Sequence, residues 1–267
     1  MSVFEGTLNK MQSRLENPVQ YILPIGDELI EMNSLIGKEL SFHYSGEIYC
    51  KKCGAKTKKS FSQGFCYKCF LTAPEAAECI LHPELCQAHE GIARDMEWSE
   101  KNCLTDHYVY LAVSSGLKVG VTRSAQVPTR WIDQGASKAI KLAVTPNRHL
   151  AGVIEVALKP YLSDKTSWQK MLKNEHPEDI DLEEEKQKAW ELLDPELQEY
   201  ITEDDEITEI TFPVEKYPVK VKSINFDKTP EFSGKLIGIK GQYLIFEEGF
   251  VLNIRKHSAY KVRLEFK

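Results

Sequence analysis

Four cysteines set in two tight pairs limit this chain more than any other feature. Cys50-x2-Cys53 and Cys66-x2-Cys69 are separated by twelve residues. Each C-x-x-C turn presents two sulfurs to one point, so two turns can wrap a single tetrahedral zinc. The intervening KTKKSFSQGF is basic and aromatic, which suits the hairpin of a zinc ribbon. An iron–sulfur cluster fits this spacing less well. Lys51, Lys52, Lys56, Lys58 and Lys59 add a basic run, either facing nucleic acid or simply solvated. A second constellation follows: Cys79, His82, Cys86, His89, Cys103 and His107. Cys86-x2-His89 forms a knuckle that Cys79 and Cys103 would complete as a second zinc site. Buried free cysteines explain these residues equally well.

The flanks read as β-structure. GTLNKM, VQYILPI, ELIEMN and KELSFHY are short strands split by Asn-Pro, Gly-Asp and Ile-Gly breaks, and VKVKSINF, GKLIGIKGQYLIF, FVLNIR and YKVRLEF repeat the pattern near the other end. The two ends also match each other weakly: Gly6, Gln20-Tyr21, Asn33 and Leu40 to Tyr44 find counterparts in Gly234, Gln242-Tyr243, Asn253 and Val262 to Phe266. Two related β-modules of this kind would pair into one sheet or barrel and leave the middle of the chain as an insertion.

Between them, residues 108 to 155 carry a distinct pattern. YVYLAVSSGLKVGVT (Tyr108 to Thr122) is a hairpin around Ser-Ser-Gly. A short helix spans 127–134 and closes at Gly135. Ala139 to Val144 suits a strand, and Asn147 caps a helix with Leu150, Val153, Ile154, Ala157 and Leu158 on one face, ended by Pro160. This order, strand, strand, helix, strand, helix, resembles the core of the GIY-YIG nuclease superfamily. Val109-Tyr110 resembles the first half-motif and Lys118-Val119-Gly120, followed by Thr122, the second. Arg130 sits near the family's first-helix arginine, two residues later than is common, and Glu155 near its metal-binding carboxylate. The whole chain also resembles a longer family known as a domain of unknown function.

The resemblance implies phosphodiester hydrolysis: Glu155 would hold Mg or Mn, Arg130 would stabilise the phosphate and Tyr110 or Lys118 would position water or phosphate. Lys118 stands where the family has tyrosine. A lysine activates water only if its pKa is lowered, and otherwise contacts phosphate. Arg123 and Arg148 are further candidates for nucleic-acid contact. Arg148 lies seven residues before Glu155, with Ala151 and Gly152 between them leaving room for the hairpin to pack against the helix.

Charge is segregated. Between Glu175 and Glu209 sixteen acidic residues face two lysines, a net of −14, so in a chain of −6 overall the remainder carries +8. The acidic stretch reads as a solvated helix face and linker, or as a nucleic-acid mimic covering the basic site until a protein partner displaces it. No apolar run reaches membrane-spanning length and MSVFEGTLNKMQSRLENP lacks a signal-peptide pattern, so a cytoplasmic protein without membrane contact is expected, with its cysteines reduced.

The sequence therefore predicts an α+β protein: an N-terminal β-module over 1–48, a zinc-binding region over 49–105, a GIY-YIG-like core over 106–174, an acidic helix or linker over 175–210 and a C-terminal β-module over 211–267. The expected function is a zinc-containing nucleic-acid-binding protein, DNA or RNA, with a metal-dependent endonuclease core. The alternatives are a non-catalytic adaptor on a degenerate nuclease core and a zinc-stabilised protein-interaction scaffold.

Overall fold

The computed structural model describes residues 2–162, 167–177 and 179–267. It divides into two compact units, Met1–Leu71 with Thr211–Lys267, and Thr72–Ile210. Glu178 of the acidic stretch and residues 163–166 of the 106–174 segment lie outside the described residues.

In the first unit the two β-rich flanks share an eight-stranded sheet. Strand Ser2–Thr7 runs antiparallel to Tyr260–Phe266, with Ser2 opposite Phe266. Tyr260–Phe266 pairs in turn with Glu39–Tyr49, and Glu39–Tyr49 with Glu231–Lys240. Ser2–Thr7 thus pairs with the last strand of the C-terminal flank and Glu231–Lys240 with the last strand of the N-terminal flank, and the two last strands pair together. Hairpins Gln20–Ile25 with Glu28–Glu31, and Tyr243–Phe246 with Phe250–Asn253, occupy matching places in the two flanks. Asn33 closes the first hairpin, accepting from the Tyr21 amide at 2.8 Å and donating to the Val19 carbonyl at 2.9 Å. Leu8, Leu23, Phe42, Leu244, Val262 and Leu264 are buried in this unit. The expected strand VKVKSINF shrinks to Lys222–Ser223, at the sheet's outer edge and parallel to Phe250–Val251. Both residues are exposed, so they offer no apolar face to hold a longer edge strand.

In the second unit the expected order appears: strands His107–Val113 and Leu117–Arg123, helix Thr129–Asp133, strand Lys138–Thr145, helix Arg148–Leu158. The three strands form an antiparallel sheet with His107–Val113 in the middle. Gly135, at φ +68°, ends the short helix: its amide bonds the Ile132 carbonyl and that of Ala136 reaches back to Trp131. Asn147 accepts from the Leu150 amide at 3.0 Å, the cap expected of it.

The acidic stretch is part of this unit and not a detached linker. Leu182 and Ala189 of helix Leu182–Glu191, together with Leu193, join Val109, Leu111, Leu142 and Ile154 in one core. Thr208–Glu209 adds a fourth strand beside Lys138–Ala139. Asp204 pairs with Lys141 at 2.6 Å, and Asp205 with the buried Lys186 at 2.6 Å. Trp168 and Trp190 are half-exposed at 36% and 39%: Met171 and Leu172 take the inner face of the first tryptophan's helix, and Leu182 and Ala189 that of the second.

The tight approach at Gly152 has a different partner from the one expected. A Cβ at this position would lie 2.1 Å from the Glu84 amide nitrogen, so the short helical turn Pro83–Leu85, and not the hairpin, packs against it. In an open helix Gly→Ala gains about 1 kcal/mol. At this site backbone blocks the methyl. We expect Gly152→Ala to cost about 2 kcal/mol net, the usual scale of overpacking, read as a lower midpoint in urea unfolding. An unchanged or raised midpoint would mean that the turn moves away freely.

Candidate functional site

Tyr110 lies at the centre of the second unit and is completely buried. It stands opposite Gly120 on the neighbouring strand. A Cβ on residue 120 would come within 2.6 Å of the Tyr110 hydroxyl oxygen, so the glycine lets the phenol lie across that strand. Trp131 meets the Tyr110 ring edge-on, with centroids 6.0 Å apart. The neighbouring Arg130 brings its guanidinium towards the hydroxyl, as Gln134 brings its amide, without completing a well-formed hydrogen bond. Burial raises the Tyr110 pKa; Arg130 opposes the rise and the nearby Glu155 carboxylate adds to it. Tyr110 is therefore a neutral phenol, able to orient a ligand but poorly suited to take a proton.

Lys118 is two residues from Gly120 on the same strand, so it shares the sheet face of Tyr110 and Gly120. It is half-buried and opposite Ala112. Glu155 lies on helix Arg148–Leu158 with a side chain 13% exposed, and Lys159 one turn on reaches it at 3.4 Å. Strand, short helix and long helix thus each contribute one of Tyr110, Arg130 and Glu155 to the same neighbourhood.

Two expected nucleic-acid contacts turn inward. Arg148 is buried, and its guanidinium donates to the carbonyls of Cys79 at 3.2 Å and Asn102 at 2.9 Å. With its charge spent on backbone carbonyls inside the unit, it is a structural residue. Arg123 is half-buried and donates to the Asn102 side chain; burial lowers its pKa, and the neighbouring Arg148 charge lowers it further.

The four sulfurs of Cys50, Cys53, Cys66 and Cys69 all lie within 4.8 Å of one another. Cys53 and Cys66 are 3.8 Å apart, which matches the edge, about 3.8 Å, of a tetrahedron with zinc–sulfur bonds of about 2.3 Å. The loops are shaped for such a centre. Gly54, at φ +70°, turns the chain so that its amide bonds the Cys50 carbonyl, and the Cys69 amide points at the Cys66 sulfur at 3.5 Å. Burial opposes ionisation of Cys50, but amides of Cys66, Cys53 and Lys52 bring its thiol down to about 6. Burial, then hydrogen bonds from the neighbouring sulfurs, push Cys69 up to about 12. One sulfur takes the charge and another stays protonated, a conflict that a divalent cation removes.

A second group, Cys79, Cys86 and Cys103, also lies within 4.8 Å. Hydrogen bonds with Cys79 and Cys86 pull Cys103 down to about 2, while those with Cys103 and Cys86, and burial, hold Cys79 up. His89, expected as the fourth ligand, is not in the group: its ring stacks on His149 at 4.5 Å, with Nε2 facing Glu90 at 3.8 Å. His149 in turn is held by the Glu84 carbonyl at 2.8 Å. Gln134 carries no motif of its own in the sequence. Only its position one turn after Arg130 hints at a role.

These features define a two-unit α+β protein with two cysteine centres that could each hold a metal ion. The family described as "Protein of unknown function (DUF2797)" matches residues 37–262, and the chain belongs to it. No curated protein and no solved structure matches it. Among the described residues, no helix is long and apolar enough to cross a membrane.

His107 gives this unit a pH dependence. Burial is the main cause that brings its pKa down to about 4 from 6.5. Between these values the unfolded chain binds a proton that the folded one does not, so stability rises with pH across that window. We expect wild type to lose stability from pH 6.5 towards 4 more steeply than His107→Gln, followed by thermal unfolding. Parallel pH profiles for the two proteins would remove His107 as the cause.

Proposed function

We propose that the second unit is a phosphodiester centre of GIY-YIG type that binds nucleic acid and hydrolyses it with Mg or Mn. The observation that carries this reading is the convergence of Tyr110, Arg130 and Glu155 from three separate elements, with Gly120 making room for the phenol. Glu155 is the one carboxylate of the trio, which suits an ion that keeps most of its water and takes phosphate oxygens as further ligands. Arg130 supplies positive charge where the transferring phosphate gains negative charge. Lys118, on the same sheet face, contacts the phosphate, while Tyr110 fixes the orientation of the groups around it. The cysteine ribbon in the first unit holds zinc for structure, and the basic residues around it add backbone grip on the nucleic acid.

A second reading rests on specific observations as well. Tyr110 is fully buried and Lys159 sits against Glu155, which favours phosphate binding without cleavage.

A panel of duplex, branched and single-stranded DNA plus RNA, incubated with Mg or Mn, separates the two. Wild type should cut at least one substrate. Glu155→Ala and Arg130→Ala should each lose about 10²-fold or more in rate, with Glu155→Ala retaining binding in a gel shift. Binding without cleavage by wild type would establish the adaptor. Absence of both would remove the nucleic-acid reading.

A further inference from the structure

The second cysteine centre has three sulfur donors, and among the described residues no fourth His, Cys, Asp or Glu lies within the same 4.8 Å of all of them. Cys79, Cys86 and Cys103 all line a single cavity of about 360 Å³, together with Leu85, Ile92 and Trp98. A structural zinc site is closed by four protein ligands, whereas a site that works on an exchangeable ligand holds three and leaves one position open. The ribbon centre is of the first kind. This one has the donor count and the adjoining space of the second.

We propose that Cys79, Cys86 and Cys103 bind zinc as three thiolates and leave its fourth position open to the cavity for an external organic thiol. Three thiolates outweigh the dipositive ion and leave a net charge of −1, so water bound there is only weakly acidified. A soft ligand set accepts a further soft donor readily. Glu78, Gln87, Arg94 and Ser99 also line the cavity, and its apolar part, with Leu85, Ile92 and Trp98, suits an alkyl body. The buried Arg148 guanidinium, bonded to the Cys79 carbonyl at 3.2 Å, offsets the negative charge that another thiolate brings. In the exchange a zinc–sulfur bond forms and a zinc–oxygen bond breaks; the thiol proton and the displaced water go to solvent, and nothing is oxidised or reduced. This inference uses none of the residues assigned to phosphodiester chemistry, so either can fail without the other.

His107 is the rival for the fourth position. Its Nδ1 meets the Thr105 carbonyl at 2.7 Å, and its buried Nε2 has no hydrogen-bond partner. The test is made on the full chain loaded with cobalt under a phosphine reductant and titrated with propanethiol. Two cobalt ions should bind. Propanethiol should raise the sulfur-to-cobalt charge-transfer absorbance by about one seventh, as the seven cysteines of the chain become eight sulfur donors. Ile92→Trp, which adds bulk to the cavity lining at a position that is not a ligand, should still bind two cobalt ions and lose the increase. The proposal is overturned if wild type binds two cobalt ions and propanethiol leaves the spectrum unchanged. It is equally overturned if Ile92→Trp keeps the increase, or if His107→Ala alters the cobalt spectrum before thiol is added, which would make the imidazole the fourth ligand.

Discussion

The buried guanidinium of Arg148 is the interaction on which the second unit turns. A charge removed from water is tolerated only where hydrogen bonds replace its hydration. Here the replacements are the carbonyls of Cys79 and Asn102. Cys79 carries one sulfur of the three-cysteine centre, and Asn102 immediately precedes another. The same arginine opens the helix that bears Glu155, and its own amide bonds the Cys103 carbonyl at 2.8 Å. Cysteine centre and helix are thus fixed to each other, and Gly152, pressed against the turn at Glu84, holds the next turn of that helix in place.

The Tyr110 neighbourhood is built on an exchange of volume across two strands. Gly120 gives up its side chain, and the Tyr110 ring takes the space against Trp131. What results is a neutral, sheltered phenol beside a cation and a carboxylate. Around it Lys118, Arg130 and Glu155 are each only partly buried, whereas the phenol is fully enclosed.

The first unit shows how two short β-rich flanks become one core. The larger sheet belongs to both. Ser2–Thr7 pairs with the last strand of the C-terminal flank, Glu231–Lys240 with the last strand of the N-terminal flank, and the two last strands meet in the middle. The similarity of the flanks, faint in sequence, is expressed in the strand pairing, with a hairpin at a matching place in each flank.

Much of this was legible in the residues because it depends on local physics. Alternation around Ser-Ser-Gly specifies the hairpin, Asn147 and Gly135 mark helix ends, and paired cysteines at fixed spacing bring four sulfurs to one point. Tyr110, Arg130 and Glu155 could be ordered along the chain from a resemblance alone. Which groups face inward could not be read, because burial is a property of the assembled unit. Arg148 and Arg123 look like phosphate contacts in sequence and become internal ties once Asn102 lies beside them. The acidic stretch reads as a linker by its charge, yet its few apolar residues, Leu182, Ala189 and Leu193, are enough to seat it in the core. His89 has the right spacing for a metal ligand, and tertiary packing stacked it on His149 instead. Spacing determines what neighbouring residues can do together; only the folded chain decides which distant residues become neighbours.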